Sequence, residues 1–135
     1  VSRVQSYNYQ DRYVRHVGAT VRIDASVTPA ADGQWRVVDG LTGGTGYVSF
    51  ESVNSPGYYL RHDGLNLSLV QYDGSASFRA DASFKQILGL ANSAWNSFQA
   101  YSYPDRYIRH YAFGLRVTAV TNDLGRADAT FRFTG

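Results

Sequence analysis

A tetrad of sequence Tyr-x-Arg-His occurs three times in this chain and constrains its fold more than any other feature. The copies are Tyr13–His16, Tyr59–His62 and Tyr107–His110, and together they contain all three histidines of the sequence. They are almost evenly spaced along 135 residues. Self-similarity at such a period indicates one structural unit repeated along the chain.

The repeat extends well beyond the tetrad on both sides. Upstream, Gln5–Arg12 matches Gln99–Arg106, and downstream, Arg79–Phe84 matches Arg126–Phe131. The first copy has a looser counterpart downstream, Ala31–Trp35. The match is therefore three-way, and it predicts three equivalent rings in the core, one from each copy: Trp35, Phe84 and Phe131.

Each unit contains four short runs typical of β-strands. In the second copy these are Tyr47–Val53, Tyr59–His62, Leu65–Tyr72 and Ser83–Leu88. Gly, Pro and Asp turn signals separate them, and the apolar residues that follow Leu65 alternate with period two. No segment sustains a helical period, although one helical turn is expected just before the fourth strand of each unit.

Three units of four strands give twelve strands, which limits the possible architectures. Solenoids and propellers also have repeats of this length, but three units are too few for a propeller and the polar turns do not suit a solenoid. A closed barrel capped by hairpins removes exposed strand edges. We therefore predict an all-β fold, a β-trefoil with pseudo-threefold symmetry. It forms one domain, residues 1–135, with subdomains of approximately 1–47, 48–95 and 96–135.

Composition excludes several classes of partner. The net charge is only +2, too weak to favour a nucleic acid. No apolar run is long enough to span a bilayer, and no signal peptide is recognisable at the start. We expect a mature or excised domain that is monomeric, has no membrane partner and needs no cofactor. Cysteine is absent, which leaves the redox compartment open.

Each copy has an aspartate downstream of its histidine, and a hairpin between them can bring the two side chains together. The pairs are His16 with Asp32, His62 with Asp81, and His110 with Asp128. The histidines could instead pack under hairpins, and the aspartates could cap turns or helices. A carboxylate that accepts from two hydroxyls, with an imidazole beside it, suits sugar recognition. Tyr111, next to His110, could supply an apolar wall.

Other functions are less well supported by these residues. The tetrad arginines are expected to pair with acids or to cover rings. Glycoside hydrolysis needs two carboxyl groups around one bond. Only one acidic position recurs in all three units of this chain. One histidine per unit is a poor metal site. A trefoil that binds another protein, without sugar, remains the alternative.

These segments resemble carbohydrate-binding module family 42, the arabinofuranosidase-B-type domain, over essentially the whole chain. The resemblance rests on the three tetrads, the stretches that precede the first and third of them, and the later Ala-Asp-Ala-Ser/Thr-Phe segments. It implies a β-trefoil that binds non-reducing α-L-arabinofuranose side chains of arabinoxylan or arabinan. It also implies an extracellular location and a covalently linked catalytic module.

The resemblance implies a pocket with a histidine, an aspartate and an aromatic side chain in each binding subdomain. In this sequence the pattern falls on His62 with Asp81 and on His110 with Asp128. The residues after these histidines, Asp63 and Tyr111, join the candidates. The first copy, with His16 and Asp32, departs most from the pattern. We expect two or three weak pockets that act together on a branched polymer.

Overall fold

A computed structural model describes all residues from Val1 to Gly135. It contains twelve strands, two α-helices of six residues each, and a 3-10 helix at Ala30–Gly33. The strands and helices, in chain order, are β1 (Arg3–Ser6), β2 (Tyr13–Val17), β3 (Thr20–Asp24), β4 (Trp35–Asp39), β5 (Tyr47–Ser52), β6 (Tyr58–His62), β7 (Leu67–Gln71), α1 (Ala76–Asp81), β8 (Phe84–Leu88), β9 (Asn96–Ala100), β10 (Arg106–Tyr111), β11 (Gly114–Ala119), α2 (Asp123–Asp128) and β12 (Phe131–Thr134).

Six of the strands form a closed antiparallel barrel. β1 pairs with β12, β12 with β9, β9 with β8, β8 with β5, and β5 with β4. A bridge between Ser2 and Trp35 joins β4 back to the start of β1. Closure leaves the barrel without an exposed edge that could pair with another chain.

The other six strands form three hairpins, β2–β3, β6–β7 and β10–β11, that cap one end of the barrel. The tip of each hairpin accepts a backbone hydrogen bond from the next hairpin around the axis. The three equivalent bonds are Leu69 N to Ala19 O (2.9 Å), Val117 N to Leu65 O (2.7 Å) and Ile23 N to Phe113 O (2.8 Å). This threefold arrangement confirms the predicted β-trefoil.

The core lies inside the barrel and under the hairpins, as a single cluster of 16 buried apolar residues. The three predicted equivalent rings, Trp35, Phe84 and Phe131, are each 0% exposed. Burying a large apolar side chain contributes about 1.5–3 kcal/mol. The repeat therefore supplies one central ring from each unit, as predicted.

Two local features differ from the sequence prediction. Strand β7 begins at Leu67 and not at Leu65, because the Asp63 carboxylate accepts hydrogen bonds from the two amides that would start the strand. The helical turns are N-capped by Ser75 and Asn122. Asp81 and Asp128 instead end their helices. Neither six-residue helix is long enough to cross a membrane.

Candidate functional site

The fold brings the histidine and the aspartate of each copy together. The histidine lies at or near the end of a hairpin strand, and the aspartate lies in the helical turn before the last strand of the same unit. The distances from histidine Nε2 to aspartate Oδ1 are 3.7 Å for His16–Asp32, 4.0 Å for His62–Asp81 and 3.4 Å for His110–Asp128. All six residues therefore form three equivalent pairs.

The arginine of each tetrad binds the aspartate of its own copy. The Nη2–Oδ2 distances are 2.8 Å for Arg15–Asp32, 3.0 Å for Arg61–Asp81 and 2.5 Å for Arg109–Asp128. Such charge-assisted bonds are short and strong. They fix one carboxylate oxygen and leave the other facing the histidine. The arginines pair with acids, one of the two roles expected from the sequence, and they orient the carboxylates.

In the second copy the His–Asp pair lies in the wall of an open cavity of about 440 Å³. A volume of this size is typical of small-molecule sites. The cavity is lined by eight residues: Arg61, His62, Asp63, Gly64, Ser68, Val70, Asp81 and Tyr103. Tyr103 comes from the following unit, so two units build this pocket.

The protonation of His62 follows from its contacts. The Gly64 amide donates to Nδ1 across 3.1 Å, so Nδ1 carries a lone pair and the proton of the neutral ring is on Nε2. Burial lowers the pKa of His62, although the nearby Asp81 and Asp63 carboxylates oppose that shift. The ring is therefore neutral near pH 7. Its Nε2–H is buried and has no hydrogen-bond partner in the protein.

An aromatic ring borders the second-copy pocket. The centroid of the Tyr103 ring lies 5.6 Å from that of the His62 ring. The Arg106 guanidinium lies over the same tyrosine ring, 4.3 Å from its centroid. In the third copy the equivalent residue is Tyr9, whose ring lies 5.5 Å from His110. In the second and third copies, therefore, the tyrosine beside the histidine belongs to the next unit around the barrel. It is not the residue that follows the histidine in sequence.

Tyr111 lies on the side of the tetrad arginine, with its ring centroid 6.0 Å from the Arg109 guanidinium that binds Asp128. Its ring is 55% exposed and is covered on one side by Arg116, 4.5 Å from the ring centroid. It lines a separate cavity near the pseudo-threefold axis, together with Asp63. Because successive side chains of a strand point to opposite faces, a residue beside a buried histidine faces outward.

Asp63 has a structural role in the turn at the rim of the second-copy pocket. Its Oδ1 accepts from the amides of Leu65 (3.0 Å) and Asn66 (2.8 Å). The hydrogen bonds from Asn66 and Leu65 hold the pKa of Asp63 below its usual range. Asp63 is therefore an ionised turn cap that also forms part of the pocket wall.

In the first copy an asparagine bridges the His–Asp pair. Asn54 Oδ1 lies 2.8 Å from His16 Nε2, and its Nδ2 donates to Asp32 Oδ1 across 2.7 Å. Burial alone would raise the pKa of Asp32, but the hydrogen bonds from Asn54 and Arg15 outweigh it and lower that pKa. A smaller cavity of about 270 Å³ touches His16 but does not include Asp32.

The third copy has the same bridge. Asn8 Oδ1 lies 2.8 Å from His110 Nε2, and its Nδ2 donates to Asp128 Oδ1 across 2.8 Å. Asp128 is only 5% exposed. Burial lowers the pKa of His110 more than the Asp128 carboxylate raises it.

The second copy has Ser102 at the position of these asparagines. The shorter side chain donates to Asp81 Oδ1 across 3.1 Å and makes no bond to His62. The repeat aligns Asn8 with Ser102, and neither is among the site residues that the sequence predicts. The signal that could have identified them is the asparagine in two copies and serine in one.

Comparison with known proteins identifies relatives that match nearly the full length of this chain. The model of the family described as "Alpha-L-arabinofuranosidase B (ABFB) domain" matches residues 2–133. An extracellular exo-α-(1→5)-L-arabinofuranosidase of Streptomyces avermitilis is 52% identical over 130 residues, which cover 96% of this chain and 27% of that protein. An α-L-arabinofuranosidase B of Emericella nidulans is 35% identical over 140 residues, with coverage of 98% and 27%. The chain thus spans about a quarter of these relatives.

Solved structures show the same fold. An arabinofuranosidase complexed with arabinofuranosyl-α-1,2-xylobiose superposes with a TM-score of 0.87 at 29% identity, covering 98% of this chain and 30% of the other. A designed threefold-symmetric protein, ThreeFoil, superposes with a TM-score of 0.72 at 16% identity, covering 99% and 97%. The second likeness concerns the fold alone.

Proposed function

Because the chain belongs to the α-L-arabinofuranosidase B domain family, we propose that it is a non-catalytic carbohydrate-binding module. Its ligand is a terminal α-L-arabinofuranose side chain of arabinoxylan or arabinan. The module holds an attached glycoside hydrolase on that polysaccharide, outside the cell. The names of the relatives, which are arabinofuranosidases, and the small share of their length that this chain covers support this proposal.

One observation carries the proposal: the buried Nε2–H of His62 has no partner and lies 4.0 Å from Asp81 Oδ1, in the wall of an open cavity. Leaving a buried donor unpaired costs about 1–3 kcal/mol. A ligand hydroxyl between the two groups would accept from Nε2–H and donate to the carboxylate. Binding would remove that cost and add a charge-assisted bond.

The remaining walls suit a sugar. Arg61 fixes the carboxylate, so little side-chain freedom is lost on binding. Tyr103 offers a ring face or edge to the C–H groups of a furanose. A structural neighbour has been solved with arabinofuranosyl-α-1,2-xylobiose, which supports the choice of arabinofuranose over other small sugars.

The chemistry of the pocket does not suit hydrolysis. A glycosidase needs one carboxyl group with a raised pKa as general acid and a second carboxylate opposite it. Asp63, the other acid of the cavity, has a lowered pKa and is occupied by two backbone amides. Asp81 is bound to Arg61. Asp63 is thus held ionised by the turn, and Asp81 is committed to its ion pair with Arg61.

The test is a titration of the chain with methyl α-L-arabinofuranoside, followed by NMR. We expect saturable binding with a Kd on the order of millimolar, about −4 kcal/mol. His62→Phe keeps a ring but removes the donor, and it should abolish the chemical-shift changes. Asp123→Asn, which neutralises a fully exposed acid, is the matched control. Saturable binding that is unchanged in His62→Phe would reject the assignment of the site.

A further inference from the structure

The three pockets differ in a short segment at the end of the first strand of each unit. It reads Ser6-Tyr7-Asn8 after β1, Ser52-Val53-Asn54 after β5, and Ala100-Tyr101-Ser102 after β9. Each segment lies against the His–Asp pair of the unit before it, and closure of the barrel places the first segment against the third pair. The neighbouring unit therefore supplies a side chain that contacts each His–Asp pair.

The asparagine amide makes the same two contacts that we assign to a sugar hydroxyl. In the first copy its oxygen accepts from His16 and its nitrogen donates to Asp32, and the third copy repeats this with Asn8. The carboxylate can only accept, so it orients the amide and the amide oxygen must face the imidazole. We infer that Asn54 and Asn8 are built-in occupants of the first and third pockets, and that the module binds one sugar, in the second copy.

This inference rests on the proposed function and deepens it. A serine holds each asparagine in place: Ser52 Oγ donates to Asn54 Oδ1 across 3.0 Å, and Ser6 Oγ donates to Asn8 Oδ1 across 3.2 Å. Ala100, at the same position in the second copy, has no hydroxyl. The exposed fraction of the aspartate side chain differs in the same way: it is 15% for Asp32 and 8% for Asp128, but 26% for Asp81.

A second sequence position also distinguishes the second copy from the other two. Opposite the tetrad arginine, the paired strand has Arg22 in the first copy and Arg116 in the third, but Ser68 in the second. Arg22 binds Asp24 across 2.9 Å, and Arg116 covers Tyr111. Ser68 instead leaves room, and it lines the open cavity. At this position, therefore, only the second copy has a short side chain next to its tetrad arginine.

A single open site changes what the module recognises on a polymer. The sequence alone favoured two or three pockets acting together. With one site, affinity for arabinoxylan gains nothing from simultaneous binding of several side chains. The affinity per terminal arabinofuranose should then be the same, within about twofold, for a short oligosaccharide and for the polymer.

Backbone amides next to each histidine report on the three pockets separately in an NMR titration with methyl α-L-arabinofuranoside. The reporters are Gly18, Gly64 and Ala112, which occupy equivalent positions in the three hairpins. We expect saturable shifts at Gly64 and none at the other two. Saturable shifts at all three, or at Gly64 and Ala112, would overturn the inference and leave the proposed function standing. No shift at any of them would overturn both.

The matching variant closes the second pocket. Ala100→Ser with Ser102→Asn gives the second copy the Ser-x-Asn segment of the other two. We expect at least a tenfold loss of affinity for methyl α-L-arabinofuranoside and a thermal midpoint that is unchanged or higher. Ser77→Asn, the same substitution at an exposed site, should bind as the unsubstituted chain does. Undiminished binding by the folded double variant would overturn the inference.

Discussion

His62 Nε2 lies 4.0 Å from Asp81 Oδ1, the widest of the three His–Asp separations, and no side chain bridges the two atoms. In the other copies an asparagine amide fills the equivalent gap at 2.7–2.8 Å from both partners. The same pair of residues is therefore a closed structural unit twice and an open site once. This difference decides what each substitution should do.

Substitutions of the two helix-ending aspartates should have opposite effects. Asp128→Ala removes a partner that Arg109, Asn8 and His110 share in a buried site. It should lower the free energy of unfolding by roughly 3 kcal/mol, measured by urea denaturation, and leave sugar binding intact in the remaining folded protein. The sequence alone places Asp128 in a third sugar pocket, which would predict a loss of binding instead.

Asp81→Asn should instead abolish binding and cost little stability. The Asp81 side chain is 26% exposed, so its pair with Arg61 is worth about 1 kcal/mol or less. The amide can no longer accept two charge-assisted bonds, so affinity should fall at least about tenfold, or 1.4 kcal/mol. NMR titration and urea denaturation of the same sample separate the two effects. A loss of stability as large as that of Asp128→Ala would contradict the distinction.

Tyr103 and Tyr9 allow the same comparison for the aromatic wall. Tyr103→Ala should weaken sugar binding about three- to tenfold, because an aromatic contact is worth about 0.5–1.5 kcal/mol. Tyr9 packs against both His110 and Phe113, so Tyr9→Ala should leave binding unchanged and lower the thermal midpoint. Equal effects of the two substitutions on affinity would show that the wall is not specific to the second pocket.

The two buried histidines predict how stability depends on pH. Burial lowers the pKa of His62 and of His110 below the value of 6.5 that applies in the unfolded chain. The unfolded state therefore binds more protons as the pH falls below 6.5, and the free energy of unfolding decreases. Above pH 6.5 both states are neutral and this contribution is fully present.

Urea denaturation between pH 8 and pH 5 tests this dependence. We expect a decrease in the free energy of unfolding below about pH 6.5, and His62→Phe should reduce its slope. A stability that rises on acidification in this range would mean that the histidines gain stabilisation from protonation in the folded state.

A turn in the third hairpin is strained where the other two are not. Ala112 has φ of +48°, whereas Gly18 and Gly64 occupy the equivalent positions of the first two hairpins. Left-handed backbone costs a residue with a Cβ atom roughly 1–2 kcal/mol, and the extra flexibility of glycine in the unfolded chain offsets part of that. Ala112→Gly should therefore raise the thermal midpoint. A lower midpoint would show that the methyl group contributes packing that outweighs the strain.

The sequence predicted the fold because the repeat includes both the turn signals between strands and the rings of the core. The tetrads, the turn signals and the rings at Trp35, Phe84 and Phe131 recur together, and only a closed threefold barrel satisfies all of them. It also predicted the His–Asp pairs and the ion pairs of the tetrad arginines. These are contacts within one unit, so the repeat itself shows which residues must meet.

Contacts between units were beyond such reasoning. Asn8 reaches His110 and Asp128 only because the barrel closes, and Tyr103 reaches His62 from the following unit. Distance in sequence does not mark these partners, and the change from asparagine in two copies to serine in one does not show which His–Asp pair each of them contacts. The choice of Tyr111 as the aromatic wall followed sequence proximity, whereas strand alternation turns that ring outward. The open pocket is thus a property of neighbouring units, not of one repeat.

The most direct measurement is a crystal structure of this chain soaked with an arabinofuranosyl xylo-oligosaccharide, in which the occupied copies are counted. We expect one arabinofuranose, with a hydroxyl between His62 Nε2 and Asp81 Oδ1 and the ring against Tyr103. The asparagines should still bridge the first and third pairs. Sugar bound at His110 and Asp128 with Asn8 displaced, or bound away from all three pairs, would contradict it.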